Sequence, residues 1–200
     1  MIFIYFIFYI KTIISLEKSF LNVYQYKNKL LVKSCIEDIK NKLIERPQIK
    51  VYGKICYQNR SIGFFSNESI GYNYSKQVIK SQKLTSNLNE LLNSINVIFD
   101  SDFNSILINY YKDGNDYIGN HSDDESCLDK NGVVALSYGA VRKFRIKDKI
   151  TKKTVVDIPT EDYSIIHMGG EFQKEFTHSI PIQKKIKDER WSFTFRKHLY

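Results

Sequence analysis

A mainly β (α+β) fold is predicted, a β-sandwich or jelly roll preceded by helices, and three observations predict it. Eight short segments with strand chemistry follow one another between residues 103 and 197. Asp113-Gly114, Asn131-Gly132 and Gly169-Gly170 fall between or beside them, as hairpins and loops require. Upstream, two stretches repeat apolar residues at helical spacing instead of alternating. Short strands spaced so closely favour antiparallel sheets over a parallel α/β arrangement.

Taken in order, residues 1–16 (MIFIYFIFYIKTIISL) are strongly apolar, but the run breaks at Lys11. It falls short of the ~18–20 residues that span a bilayer. It also lacks a basic n-region and a clear cleavage site, so a secretory signal fits poorly. A packed or ill-ordered extension is favoured over a membrane anchor. Residues 20–26 (FLNVYQY) have strand composition. In 31–45, Leu31, Cys35, Ile39 and Leu43 form one helical stripe that Pro47 stops. Residues 49–57 read as a strand interrupted by Gly53, and a polar stretch then runs to Tyr74. A second helix is predicted at 84–95 from Leu84, Leu88, Leu91, Leu92 and Ile95. The eight strands are expected at 104–111, 117–122, 132–138, 141–147, 154–158, 163–168, 177–182 and 190–196.

At 200 residues the chain suffices for one sizeable core and is short for two. One domain is therefore expected over 17–200, with 1–16 as its extension. Cys35, Cys56 and Cys127 are odd in number and lack C-x-x-C spacing, which excludes a readable disulfide framework or cysteine zinc site. The net charge of +8 is uneven: residues 1–100 hold 14 Lys/Arg against 7 Asp/Glu, and residues 101–200 hold 16 against 15. A basic N-terminal half suits a polyanionic partner. So does the run Arg142–Lys153, where seven basic residues face only Asp148.

The segment carrying most chemistry is Tyr117–Glu125 (YIGNHSDDE). His121 and Asp123 are two apart, so on an extended strand both project from one face. His178 can add a third ligand from another strand, with His167, in the apolar segment YSIIHM, as its rival. Two imidazoles and one carboxylate on one face leave the other positions open, the arrangement of non-haem Fe(II) oxygenases. In Arg190-Trp-Ser-Phe-Thr-Phe-Arg196, alternation sets Arg190, Ser192, Thr194 and Arg196 against Trp191, Phe193 and Phe195. If the polar face points inward, two guanidinium groups are available to a dicarboxylic acid. Asn109 and Tyr111 share a face and can add neutral hydrogen bonds.

Together these motifs carry a resemblance. Asn109-x-Tyr111-x-Asp113-Gly114, Ile118-Gly119-x-His121-x-Asp123-Asp124-Glu125, His178-Ser179-x-Pro181 and Arg190-x5-Arg196-Lys197 occur in the order and spacing of the AlkB family. The sequence resembles that family from about Val51 to Lys197. The resemblance implies a double-stranded β-helix (jelly-roll) core at about 103–197, with a substrate-binding lid at about 51–76. It implies an Fe(II)- and 2-oxoglutarate-dependent dioxygenase that uses O2 to dealkylate bases of DNA or RNA. His121, Asp123 and His178 become the iron ligands. Asn109, Tyr111, Arg190, Thr194 and Arg196 become the 2-oxoglutarate contacts, with Arg196 on the distal carboxylate.

For the substrate, the resemblance implies Asp124 at the target nucleotide with Glu125 beside it. Val51, Tyr52 and Gly53 match the segment whose aromatic enters the duplex, and Tyr72 and Tyr74 match the cover over the base. Tyr52 departs from the family's Phe, residues 60–70 align loosely, and Gly169–Glu175 (GGEFQKE) departs from an Asn/His/Thr-rich loop. These departures bear on substrate preference and leave the iron chemistry untouched. A monomer in the cytoplasm or nucleus, that of an infected host cell included, is expected. No obligate protein partner is expected, and membrane contact through residues 1–16 is not favoured. Two other readings share part of this pattern. One is a 2-oxoglutarate hydroxylase acting on protein or lipid, and the other is a catalytically silent nucleic-acid-binding module.

Overall fold

The structure is a computed structural model that describes residues 7–51, 53–69, 71–74, 77–124 and 132–198. An N-terminal hairpin, β1 (Ile7–Ser15) and β2 (Ser19–Tyr26), leads into α1 (Lys29–Ile39). Two small hairpins follow, β3 (Gln48–Val51) with β4 (Lys54–Tyr57), and β6 (Gly71–Tyr74) with β7 (Gln77–Lys80), separated by β5 (Ser61–Phe65). After α2 (Ser86–Phe99) come β8 (Ser105–Tyr111), β9 (Ile118–His121), β10 (Val133–Gly139), β11 (Lys143–Asp148), β12 (Thr154–Pro159) and β13 (Ser164–Gly170). A single turn, α3 (Phe172–Glu175), precedes β14 (Phe176–Ile180) and β15 (Arg190–Arg196). The eight expected strands are all present within about two residues of their predicted bounds. Pro181 has no N–H to give a ladder, and β14 ends just before it.

Two antiparallel sheets face each other, as a jelly roll requires. The larger runs β1-β2-β13-β10-β15-β8-β5 and the smaller β12-β11-β14-β9. Between them lies one apolar cluster, with Leu21, Val133, Ile166 and Met168 from the large sheet and Phe144, Ile146, Phe176 and Ile180 from the small one. A second cluster covers the outer face of the large sheet. There Val32, Cys35 and Ile39 of α1 and Leu88, Leu91 and Ile95 of α2 meet Ile106, Ile108, Leu136, Phe193 and Phe195. The large sheet is therefore buried on both faces. That explains β15: its aromatic face packs under the helices, and its polar face looks between the sheets.

The helices begin on side-chain caps. Asn28 accepts from the Leu31 N–H at 3.1 Å, and Thr85 accepts from the Leu88 N–H at 3.2 Å. α1 stops at Ile39, short of the predicted 45, because Ile44 pairs its backbone with Ile62 through 2.8 and 3.0 Å hydrogen bonds. α2 runs on to Phe99, beyond the predicted 95, since Ile98 and Phe99 pack against the helix-side core.

Residues 7–15 form the edge strand of the large sheet, and Ile14 is buried in the inter-sheet core. Apolar residues interrupted only at Lys11 and Thr12 hide strand alternation, and two register shifts in the β1–β2 ladder obscure it further. Among the described residues no helix is long and apolar enough to cross a membrane. Cys35 is buried and Cys56 exposed, both as free thiols, while Cys127 lies outside the described residues.

Candidate active site

The polar face of β15 and the metal-type residues line one cavity between the sheets. His121, the last residue of β9, stands opposite His178 of β14 in the ladder. Asp123 lies two residues past the end of β9, so it shares no strand face with His121. Its backbone N–H instead donates to the Gln173 side chain at 3.0 Å, which fixes the loop. Both imidazole Nε2 atoms face the Asp123 carboxylate, at 3.8 Å from His121 and 3.6 Å from His178. The three ligand atoms lie within 4.8 Å of one another. This donor set suits a divalent transition metal, with the open positions expected of a facial triad.

The surroundings keep these groups in their ligating forms. Nδ1 of His121 lies 2.9 Å from the Gly119 carbonyl; a proton held there leaves the Nε2 lone pair toward Asp123. Burial lowers the pKa of His121 and pushes His178 down to about 3, the latter with help from His121, so both are neutral at pH 7. The ring of His178 stacks on Phe144 at 5.1 Å. For Asp123, burial raises the pKa, but the Arg196 guanidinium and the two imidazoles outweigh it and hold the carboxyl below its usual range.

Arg196 donates from Nη2 to Asp123 Oδ1 at 2.5 Å, which sets it at the metal end of the cavity. Arg190 is six residues back along the same strand, roughly 20 Å at strand rise. Its Nε donates to Thr160 Oγ1 at 3.1 Å and its Nη2 to Ser137 Oγ at 2.9 Å. Nη1 of Arg190 is buried without a hydrogen-bond partner among the described residues. Tyr111 stands beside Arg190 in the β8–β15 register, and Asn109 beside Ser192. Asn109 and Thr194 both line the cavity, and Asn109 accepts from Arg60 Nε at 2.6 Å. Arg196, expected at the distal carboxylate, thus engages Asp123 beside the triad, and Arg190 lines the same cavity further along the strand.

His167, the rival ligand, sits between Phe20 and Phe99 at 5.0 and 4.8 Å, outside the triad. Asp124 is exposed and pairs with Lys149 at 2.9 Å. Tyr52 and Glu125 lie outside the described residues. Gly53 takes φ +80° at the β3–β4 turn, Val51 ends β3, and Tyr72 and Tyr74 belong to β6. Part of the basic run is taken up within the fold. Arg142 is only 1% exposed, and Asp157 binds Arg145 at 2.7 and 2.8 Å with Lys143 at 3.5 Å. Arg60, Ser137, Thr160 and Gln173 escaped the sequence reading. Only Ser137 left a trace there, as a polar residue inside an apolar strand.

A family model, the 2OG-Fe(II) oxygenase superfamily, matches residues 20–196 and so spans every element of this site. The DNA oxidative demethylase ALKBH2 of Homo sapiens is 31% identical over 160 residues, covering 76% of this chain and 61% of that protein. The chain belongs to the 2OG-Fe(II) oxygenase superfamily, as a member of AlkB type. The mouse ALKBH2 is 30% identical, with 76% of this chain and 67% of that protein covered. The alpha-ketoglutarate-dependent dioxygenase alkB homolog 3 of Rattus norvegicus is 35% identical over 103 residues, 47% of this chain and 35% of that protein. A solved structure titled "The structure of OsALKBH1" superposes with a TM-score of 0.58 at 14% identity, over 94% of this chain and 100% of that one, which speaks for the fold alone. The oxygenase chain spans about three fifths of the length of its human relative.

Proposed function

We propose that this chain oxidatively removes alkyl groups from N-alkylated bases of DNA or RNA, consuming 2-oxoglutarate and O2. One observation carries the reading: a single inter-sheet cavity holds the His121–Asp123–His178 triad at one end and the buried, partly unsatisfied Arg190 at the other. Fe(II) fits the triad, and with 2-oxoglutarate and dioxygen bound it supplies the oxidation of the N-alkyl carbon.

The protein's own residues do the rest. His121 and His178 offer neutral nitrogens, and Arg196 keeps Asp123 ionised and oriented. Arg190 is read as the partner of the distal carboxylate of 2-oxoglutarate, with Tyr111 beside it and Asn109 and Thr194 along the path. Burial of these polar groups excludes water from the reacting atoms. A base must leave its stack to reach such a cavity. The exposed β3–β4 hairpin and the β6–β7 hairpin are read as the lid, with Val51, Tyr52, Gly53, Tyr72 and Tyr74 toward the nucleic acid and Asp124 and Glu125 near the target nucleotide. The names of the ALKBH2 relatives, which specify DNA, support that substrate class. The reading further takes the chain to act as an intracellular monomer.

Anaerobic reconstitution with Fe(II) and 2-oxoglutarate, followed by air and methylated DNA or RNA oligonucleotides, tests it. Mass spectrometry is expected to report loss of methyl coupled to succinate formation. Succinate without methyl loss on any oligonucleotide would move a protein or lipid substrate ahead.

A further inference from the structure

Arg142 is among the largest fully buried side chains of the fold, yet no motif of the sequence marks it. Its Nη1 donates to the Asp113 carbonyl at 2.9 Å, and its Nη2 to the carbonyls of Asp116 at 2.8 Å and Pro181 at 2.9 Å. These hydrogen bonds all go to backbone carbonyls, so the guanidinium is anchored without a carboxylate bonded to it. Its carbon lies 5.8 Å from the centroid of the Tyr111 ring, and that of Arg190 lies 5.3 Å from the same ring. Two buried cations thus share one aromatic ring.

Thr160 joins them. Its hydroxyl accepts from the Arg142 N–H at 3.1 Å and from Arg190 Nε at 3.1 Å, and it donates to the Arg142 carbonyl at 3.2 Å. Thr160 is 1% exposed and lies just past β12 in the small sheet, whereas Arg190 belongs to the large one. The hydroxyl therefore ties the two sheets together at the far end of the cavity. Asp113 and Asp116 favour the charge of Arg142, but Nη1 of Arg190 and Nε of Arg142 lack hydrogen-bond partners among the described residues, which leaves this end of the cavity suited to an anion. Burial pushes Arg190 down to about 10, which still leaves it protonated at pH 7.

We propose that Arg142 and Thr160 are positioning residues for the cosubstrate: Thr160 locks the Arg190 fork, the Arg142 backbone holds the Thr160 hydroxyl, and the Arg142 guanidinium backs the Tyr111 ring, so that the distal carboxylate of a dicarboxylate meets a preformed cationic seat. This rests on the cosubstrate reading given above. A long arginine gives up rotamer freedom when it captures a ligand, and fixing it beforehand strengthens binding. Arg142 also braces three loop carbonyls, so replacing it threatens folding, and Thr160 is the cleaner probe.

The experiment is anaerobic calorimetric titration of 2-oxoglutarate into Mn(II)-loaded wild type, Thr160→Val and Thr160→Ser, with Mn(II) affinity and thermal unfolding measured in parallel. Thr160→Val is expected to bind 2-oxoglutarate roughly tenfold more weakly, the scale for losing a hydrogen bond to a charged group. Thr160→Ser keeps the hydroxyl and is expected to bind like wild type, and both variants keep wild-type Mn(II) affinity. Unchanged 2-oxoglutarate affinity in Thr160→Val, or an equal loss in Thr160→Ser, overturns the positioning role alone. Wild type that takes up Mn(II) but no 2-oxoglutarate overturns the cosubstrate reading itself.

Discussion

Asp123 illustrates how one residue is made to serve the site. It is among the most enclosed acids of the described residues, yet Arg196 and two imidazoles keep it ionised. Under the proposed function, removing any member of the triad removes a metal ligand. Substituting His121, Asp123 or His178 by Ala is expected to weaken Mn(II) or Fe(II) binding by more than about 100-fold, beyond the range seen for outer partners of metal ligands. His167→Ala is expected to leave metal affinity at the wild-type level, which equilibrium dialysis or calorimetry would check. The two arginines of β15 should separate in the same way. Arg190→Met is expected to weaken 2-oxoglutarate binding by ~2–5 kcal/mol, about 30- to several-thousand-fold, because a buried carboxylate loses its partner. Arg196→Met instead strips Asp123 of its cation, so its carboxyl pKa rises and metal binding fails progressively as the pH is lowered. Equal effects of both variants on 2-oxoglutarate affinity, with no change in metal binding, would refute this division of labour.

At the scale of elements, the site depends on loops whose backbones are held from outside. The Gly169-Gly170 pair that ends β13, just before α3, shows why small residues occur there. A Cβ on Gly169 would meet the Phe20 ring at 2.1 Å, and one on Gly170 would meet the Lys18 carbonyl at 2.0 Å, where the backbone also takes φ +64°. That close approach sets α3, and with it the Gln173 side chain that holds Asp123. The β3–β4 hairpin is built differently: the described side chains of β4 are all exposed, as suits an element that meets a partner. Tyr52 is its proposed stacking aromatic, and base stacking is worth ~1–3 kcal/mol. Tyr52→Ala is therefore expected to slow demethylation of an oligonucleotide roughly 5- to 150-fold while sparing uncoupled 2-oxoglutarate decarboxylation. A parallel loss of both activities would mean that the hairpin supports the core instead of the substrate.

For the whole molecule, acid stability follows from its buried imidazoles. Burial holds His167 at about 4, against 6.5 for an unstrained imidazole. The unfolded chain then binds more protons than the native one between those values. Stability is full above about pH 6.5 and falls as the pH drops toward 4, by up to about 3 kcal/mol from this residue. His167→Phe keeps a ring between Phe20 and Phe99 and is expected to flatten that part of the pH profile. Thermal unfolding of the two proteins at pH 7 and pH 4.5 measures the difference, and parallel profiles would exclude His167 as a source. His178 and His198 are likewise depressed by burial, so the variant should reduce the acid sensitivity without abolishing it.

Strand and helix identities were legible in the residues because alternation, helical spacing, turn dipeptides and Pro181 act over a few positions. The triad was legible too, since its side chains have few other uses in such an apolar setting. The edge strand β1 was not, because its apolar residues, interrupted only at Lys11 and Thr12, show no period of two to read. Nor was the order of the two arginines. Identical residues on one strand face are indistinguishable until a partner from another segment, here Asp123 for Arg196 and Thr160 for Arg190, sets one beside the triad and the other away from it. The same holds for Arg142, which in sequence is one more cation in a basic run and in the fold is a buried brace on three carbonyls. Local chemistry determined which elements the chain has and which residues could form the triad. Contacts between residues distant in sequence decided which charge each buried group answers, because electrostatics in a desolvated cavity depends on neighbours that only the packed sheets bring together.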